Sequence, residues 1–270
     1  MEIPCTFEEI KNTLSILREK YLLAIRNSTL LDSSKENATN RLLKLSKQFE
    51  FCLYELGIWL AAKAAEAHSC ETNDLYTWGT PDVRGEAIAR DFCKEVHNTL
   101  SSYIPPGWLV HHINKESVLS HGFLTTKVVC LIESLAEYRH VNDMRCIIFV
   151  ERVISAIVLK TLCELYRKLF GWKTKYTAGN HSVMQSQSCG AQNKIVNEFR
   201  KGSVNIIVAT SILEEVLMAK KCKQNQSLQS EVNNYGKNCS RVKEMCLSQK
   251  SLHTADPKNF ARIREEVKRW

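Results

Sequence analysis

The chain has 270 residues, of which 44% are hydrophobic and 24% charged, and its formal net charge is +8. That length can bury one large core or two ordinary ones. No apolar run approaches the ~18 residues that a membrane span requires, and the opening "MEIPCTFEEIKN" has neither the basic nor the apolar region of a secretory signal.

Residues 1–140 read as helices. Thr6-Phe7-Glu8-Glu9 fits a capping box, and Ile10, Leu14, Leu17 and Tyr21 follow at helical spacing. "DSSKENATN", residues 32–40, reads as a polar loop. From Arg41 to Ala67, apolar residues recur at 42, 45, 49, 53, 56, 60 and 64, which predicts one long helix. A further helix starts near Pro81-Asp82, aligns Ile88, Phe92, Val96, Leu100 and Tyr103, and ends at Pro105-Pro106-Gly107. Another runs from Thr125 to Tyr138. Such stripes read as core packing.

At Arg145 the pattern changes. "RCIIFV" is a short strand rich in β-branched residues, and "ERVISAIVLKTLCELYRKLF" is a helix. "KTKYTA" is a second strand, "GNHSVMQSQSCG" a polar loop, "AQNKIVNEFRK" a helix stopped by Gly202, and "VNIIVAT" a third strand. Strands that are apolar on both faces and alternate with helices predict a parallel α/β layer. Ligands of such sheets sit at the carboxyl ends of the strands. That rule aligns Val150-Glu151, Ala178-Gly179-Asn180 and Thr210-Ser211 along one edge.

After Met218 the periodicity stops. Residues 219–270 hold twelve Lys/Arg and five Asp/Glu, so most of the net positive charge lies there. This composition predicts a basic, disordered tail that dominates any nucleic-acid affinity. "PKNFARIREEVKRW" within it fits a short closing helix.

The chain contains no G-x-x-x-x-G-K-[ST], no G-x-G-x-x-G after a strand, no H-E-x-x-H and no G-x-S-x-G. Eleven cysteines form no CxxC pair, so they read as reduced, mostly buried thiols, with no metal site expected. What remains is the strand-to-helix turn at Thr210. Its hydroxyl and free backbone N–H groups suit a phosphate, although a plain helix cap is the commoner use of such a sequence.

Several segments taken together resemble a known family. "RCIIFVERVISAIVL", "WKTKYTAGNHS" and "QNKIVNEFRKGSVNIIVATSILEE" resemble the second helicase domain of plant Dicer-like endoribonucleases, nearest the second type. "CLYELGIWLAAKAAEA" and "SHGFLTTKVVCLIESLAEYR" resemble the helical insertion and the lead-in to that domain. The resemblance runs over roughly residues 5–218 and keeps the motifs in order.

It implies an α/β fold: a helical N-terminal region (1–140), an incomplete RecA-like parallel-sheet helicase C-terminal domain (141–218), and the tail (219–270). It implies that Thr210 and Ser211 meet the RNA backbone, with the loop Gly179-Asn180-His181 beside them. The family uses ATP and magnesium, but the resemblance assigns neither cofactor to this chain, nor any catalytic residue. After the two glutamates the family reads glycine, leucine, aspartate, whereas this chain has Val216, Leu217 and Met218. The family's first RecA-like domain, its sixth helicase motif and its ribonuclease III domains have no counterpart among these residues.

The expectation is therefore a truncated helicase fragment without ATPase or nuclease activity, nuclear or cytoplasmic. It would bind RNA, double-stranded by the family's habit, or dock on a helicase partner chain, with no membrane involved. The alternative is an incomplete gene model of the full ATP-dependent enzyme. A purely structural helical interaction protein is the third reading, and the consistent βαβ order counts against it.

Overall fold

A computed structural model describes residues 5–69, 83–108, 115–141, 144–178, 189–210 and 242–246. Four helices open the chain: α1 (Cys5–Arg26), α2 (Asp32–Leu56), α3 (Ile58–Ser69) and α4 (Val83–Ser102). α1 begins at Cys5, one residue before Thr6. The faces expected from periodicity are the buried ones. Ile10, Leu14, Leu42, Phe49, Leu53, Phe92, Val96 and Leu100 all lie in one core.

The expected loop at residues 32–40 is instead the start of α2. Only Ala38 of that stretch is buried, so its polar side chains cover a solvent face and leave no apolar period to read. Asp32 in the first turn complements the helix dipole.

The single helix expected over 41–67 is two helices, broken at Gly57, where φ is 102°. The Gly57 N–H donates to the carbonyls of Cys52 (3.1 Å) and Leu53 (3.2 Å), closing α2. The N–H groups of Ile58 and Trp59 donate to the carbonyls of Gly122 and Phe123 at 3.0 and 3.1 Å. The open first turn of α3 is thus satisfied by a turn some sixty residues away. Apolar spacing runs on across the break because α3 is buried on most of its surface.

That partner turn joins α5 (Lys115–Ser120), which the sequence did not suggest, to α6 (Thr126–Glu137). Thr125 precedes α6 in an extended conformation and makes no side-chain cap bond. Its hydroxyl donates instead to the Glu55 carbonyl at 2.9 Å, and Lys127 pairs with the Glu55 carboxylate.

The sheet contains β1 (Arg145–Val150), β2 (Thr174–Thr177), β3 (Ile206–Thr210) and β4 (Val242–Cys246), all parallel, in the order β2-β3-β1-β4. α7 (Val153–Phe170) links β1 to β2, and α8 (Cys189–Arg200) links β2 to β3. The first crossover steps outward past β3 and the second steps back. Two crossovers of the same hand must then lie on opposite faces. Burial agrees. Ile147, Phe149, Ile207 and Ala209 pack with Ile195, Val196 and Phe199 of α8. Their alternates Cys146, Ile148, Val150, Ile206 and Val208 share one core with α7 and the N-terminal helices.

Local devices fix the ends. Gly202, with φ 79°, follows α8, and Arg145 Nη1 donates to the Arg200 carbonyl at 2.8 Å. The Asn205 side chain accepts from Lys173 N–H (3.1 Å) and donates to the Met144 carbonyl (3.2 Å), joining the entries to three strands. The fold is α/β, a helical region followed by a small parallel sheet.

One expectation needs correction. The three strands expected from the sequence are joined by a fourth, β4, which the sequence did not suggest. Val242–Cys246, inside the stretch expected to be a disordered tail, pairs along β1 from Arg145↔Val242 to Phe149↔Cys246. β1 is buried on both faces, so an open edge would expose its N–H and C=O groups beside apolar surface. Pairing removes that cost. The expected helix at 257–270 lies outside the described residues.

Candidate nucleic-acid interface

Parallel strands place their carboxyl ends together, and here the register is explicit. Val150 stands opposite Thr210, and Thr177 opposite Ala209. The ends of β1, β3 and β2 therefore form one edge. By strand alternation, Thr210 shares the face of Val150 and Val208, which is the face covered by α7 and the N-terminal helices.

Thr210 is 7% exposed and its hydroxyl makes no hydrogen bond to another described residue. Thr177 is buried on the opposite face, beside α8. There Gln192 Nε2 donates to the Ala178 carbonyl at 2.7 Å, tying the end of β2 to the first turn of that helix. Of the site residues expected from the sequence, only Thr210 can be located. Ser211, Gly179, Asn180 and His181 lie outside the described residues, and so does the segment after Thr210 that decides between phosphate contact and plain helix cap.

Just past β1, the sequence pointed to Glu151 but not to its neighbour Arg152. Glu151 and Arg152 are both exposed. The Arg152 guanidinium carbon lies 3.8 Å from the centroid of the Phe51 ring, which belongs to α2 and is half-buried. A hundred residues separate the two, and no periodicity could announce the pair.

Burial pushes the thiols of Cys52, Cys93 and Cys163 up to about 12, which removes them as thiolate nucleophiles near neutral pH. Of the described cysteines, Cys52, Cys93, Cys146 and Cys163 are buried and Cys130 is half-buried. Among the described residues no group of three His, Cys, Asp or Glu is placed to hold a metal ion. No described helix is long and apolar enough to cross a membrane. The carboxylates of Glu95 and Glu198 are held below the ordinary range by hydrogen bonds from Lys20 and Tyr21 and from Lys175. The first pair joins α1 to α4, and the second joins β2 to α8.

No family model matches the chain. It is 45% identical over 214 residues to Endoribonuclease Dicer homolog 2a of Oryza sativa subsp. japonica, a match covering 79% of this chain and 15% of that protein. With Endoribonuclease Dicer homolog 2b of the same plant it shares 44% identity over 214 residues and the same coverage. With Endoribonuclease Dicer homolog 2 of Arabidopsis thaliana it shares 44% over 212 residues, 77% of this chain and 15% of the relative. The chain thus spans about 15% of the length of the curated relatives it matches. Among solved structures, the Hef helicase domain of Pyrococcus furiosus overlays with a TM-score of 0.34 and 17% identity, over 79% of this chain and 45% of that one. At that score the likeness carries no argument.

Proposed function

The chain is related to the plant Dicer homologs of the second type over a partial region of their length, and from that premise we propose that it is an RNA-backbone-binding helicase piece of the RNA-silencing machinery. It holds double-stranded RNA, or docks on a helicase partner chain, in the nucleus or cytoplasm. It has no ATPase or nuclease chemistry of its own. Residues 1–140, 141–218 and 219–270 act in this reading as insertion-like helical region, helicase-type layer and basic tail.

The observation that carries the reading is the strand-end edge. Thr210 presents a hydroxyl without a hydrogen-bond partner among the described residues, in register with the end of β1. Ser211 and the Gly179-Asn180-His181 loop complete the proposed contact set. A hydroxyl at that position can donate to a phosphate oxygen without disturbing the ladder. Thr210→Ala is expected to weaken binding of a labelled RNA duplex by roughly tenfold, the value of one hydrogen bond to a charged acceptor. Thr210→Ser keeps the hydroxyl and keeps the affinity. Equal affinities for all three proteins, read by fluorescence anisotropy, would remove Thr210 from the interface.

A second reading is that these residues serve inside a full ATP-dependent Dicer-like enzyme. The 15% span of the relatives favours considering it. For the 270-residue polypeptide the expectation is no ATP hydrolysis, with or without duplex RNA. Hydrolysis requires a cradle for the β- and γ-phosphates and a charge-stabilising arginine, and no G-x-x-x-x-G-K-[ST] is present to supply the cradle. Phosphate release above that of a heat-killed control, retained through repurification, would contradict this.

A further inference from the structure

Residues 27–31 carry the chain from α1 to α2, and Thr29 is exposed at their centre. Its hydroxyl accepts a hydrogen bond from Arg84 Nη1 of α4 at 3.1 Å. Arg26, also exposed, closes α1 three residues earlier. The linker thus presents one threonine to solvent with an arginine in contact and another at a fixed spacing before it.

An arginine three residues before a hydroxyl is a charge pattern that serine/threonine kinases with an acidic peptide groove select. Three serines or threonines of the chain have it: Thr29 after Arg26, Ser155 after Arg152, and Ser203 after Arg200. The fold separates them. Ser155 is buried within α7, out of reach of a second protein. Ser203 is exposed, but its hydroxyl donates to the Glu198 carbonyl at 3.0 Å where α8 ends, and Val204 beside it is buried. A phosphate there would lose that donor and set its charge against the negative end of a helix dipole. Thr29 has neither fault. Leu31 beyond it is extended and exposed, and α2 opens there without a side-chain cap, at the end of a helix that favours negative charge. The atom that would carry the phosphoryl group is already in contact with a guanidinium.

We propose that Thr29 is a phosphorylation site and that Arg84 holds the phosphate. The co-substrate is ATP, and the catalyst is a serine/threonine kinase that selects basic residues. The bond from the γ-phosphorus to the bridging oxygen of ADP breaks and a bond to Thr29 Oγ1 forms. ADP leaves, and the hydroxyl proton passes to the carboxylate base of the kinase. Arg26 serves recognition by the kinase. Arg84 serves the product, because a phosphate dianion takes two hydrogen bonds from a guanidinium where the hydroxyl takes one. The modification fastens the α1–α2 linker to the start of α4 and so acts on the packing of the helical region. It is independent of the RNA-binding reading.

The test uses the full chain, radiolabelled ATP and a recombinant calcium/calmodulin-dependent protein kinase, which reads an arginine three residues before its acceptor. Peptide mapping is expected to place the label on Thr29. Thr29→Ala removes it, Arg26→Gln slows labelling about tenfold or more, and Arg84→Gln is labelled as fast as the wild type. The phosphorylated form of each protein is then compared with its own unphosphorylated form, so that the effect of the substitution itself cancels. Phosphorylation is expected to raise the melting temperature of the wild type by about 2–4 °C. It also leaves the phosphate with a second pKa, read by phosphorus NMR, below the ~6 of an unpaired phosphate ester. Both shifts vanish in Arg84→Gln and persist in Thr29→Ser. A chain that takes no label at residue 29, or an Arg26→Gln variant labelled there at the wild-type rate, would overturn the site. Label on Thr29 with the same two shifts in wild type and Arg84→Gln, or with no shift in either, would overturn the role of Arg84.

Discussion

Gly57→Ala is expected to lower the stability of the protein by about 3 kcal/mol, the sum of a left-handed backbone forced on an L-residue and an overpacked contact. The position has φ 102°, and an added Cβ would come within 2.6 Å of both the Leu124 Cα and the Phe123 carbonyl oxygen. Both are backbone atoms, so neither can swing aside as a side-chain tip would. The same backbone supplies the carbonyl that accepts from Trp59 N–H, and displacing it would also unseat the start of α3. A chain of this size should lose roughly 6–12 °C in melting temperature. Gly107 is the control: its φ is 75°, but nothing lies within 4 Å of its added Cβ. Gly107→Ala should therefore show only the backbone part, about 1 kcal/mol. Equal losses at the two positions, measured by urea unfolding, would mean that the close approach of the 122–124 turn is not what holds the break.

The second large effect depends on pH. His68 closes α3 at 1% exposure, with its ring 5.9 Å from that of Phe49. Burial holds the imidazole well below its ordinary range, to about 4, and the Arg41 guanidinium, itself paired with Glu86, pushes the same way. The folded state therefore binds its proton at a lower pH than the unfolded chain, whose imidazoles titrate near ~6.5. The stabilisation from a neutral His68 is present above about 6.5 and is lost as pH falls towards 4. The full difference is about 3 kcal/mol. His68→Leu deletes that titration while leaving every other histidine and carboxylate in place. The stability gap between wild type and His68→Leu should thus move in favour of the variant by about 3 kcal/mol between neutral pH and pH 4. A gap that stays constant over that range would show that His68 titrates alike in both states.

How much of this was legible depends on the range of the interaction. The β1, β2 and β3 strands and α4, α6 and α7 fall where apolar period and turn residues place them, to within a few residues. Those signals are local. The polar start of α2 was not legible, because a helix turn that faces solvent carries no apolar stripe. The break at Gly57 was hidden for the opposite reason. α3 is buried on most of its surface, so its pattern continues the period of α2 without marking the change of direction. The pairing of β4 with β1 could not be read from a segment with two charges in five residues.

At the candidate site the same division holds. Strand order and the carboxyl-end rule pointed to Thr210 from sequence alone, because parallel α/β units put their strand ends on one edge. The family motifs named Ser211 and the Gly179-Asn180-His181 loop, and the described structure neither adds to nor subtracts from them. The Phe51–Arg152 stack needed the fold, because two residues a hundred apart meet only when α2 packs on α7. The sequence by itself determined the α/β class, the edge and the kinship, since each depends on local composition or ordered motifs. Only the tertiary structure decided where α2 breaks, which histidine is kept neutral and which arginine is held over that edge. Each of these is fixed by burial and contact across long sequence distances, where chain periodicity carries no information.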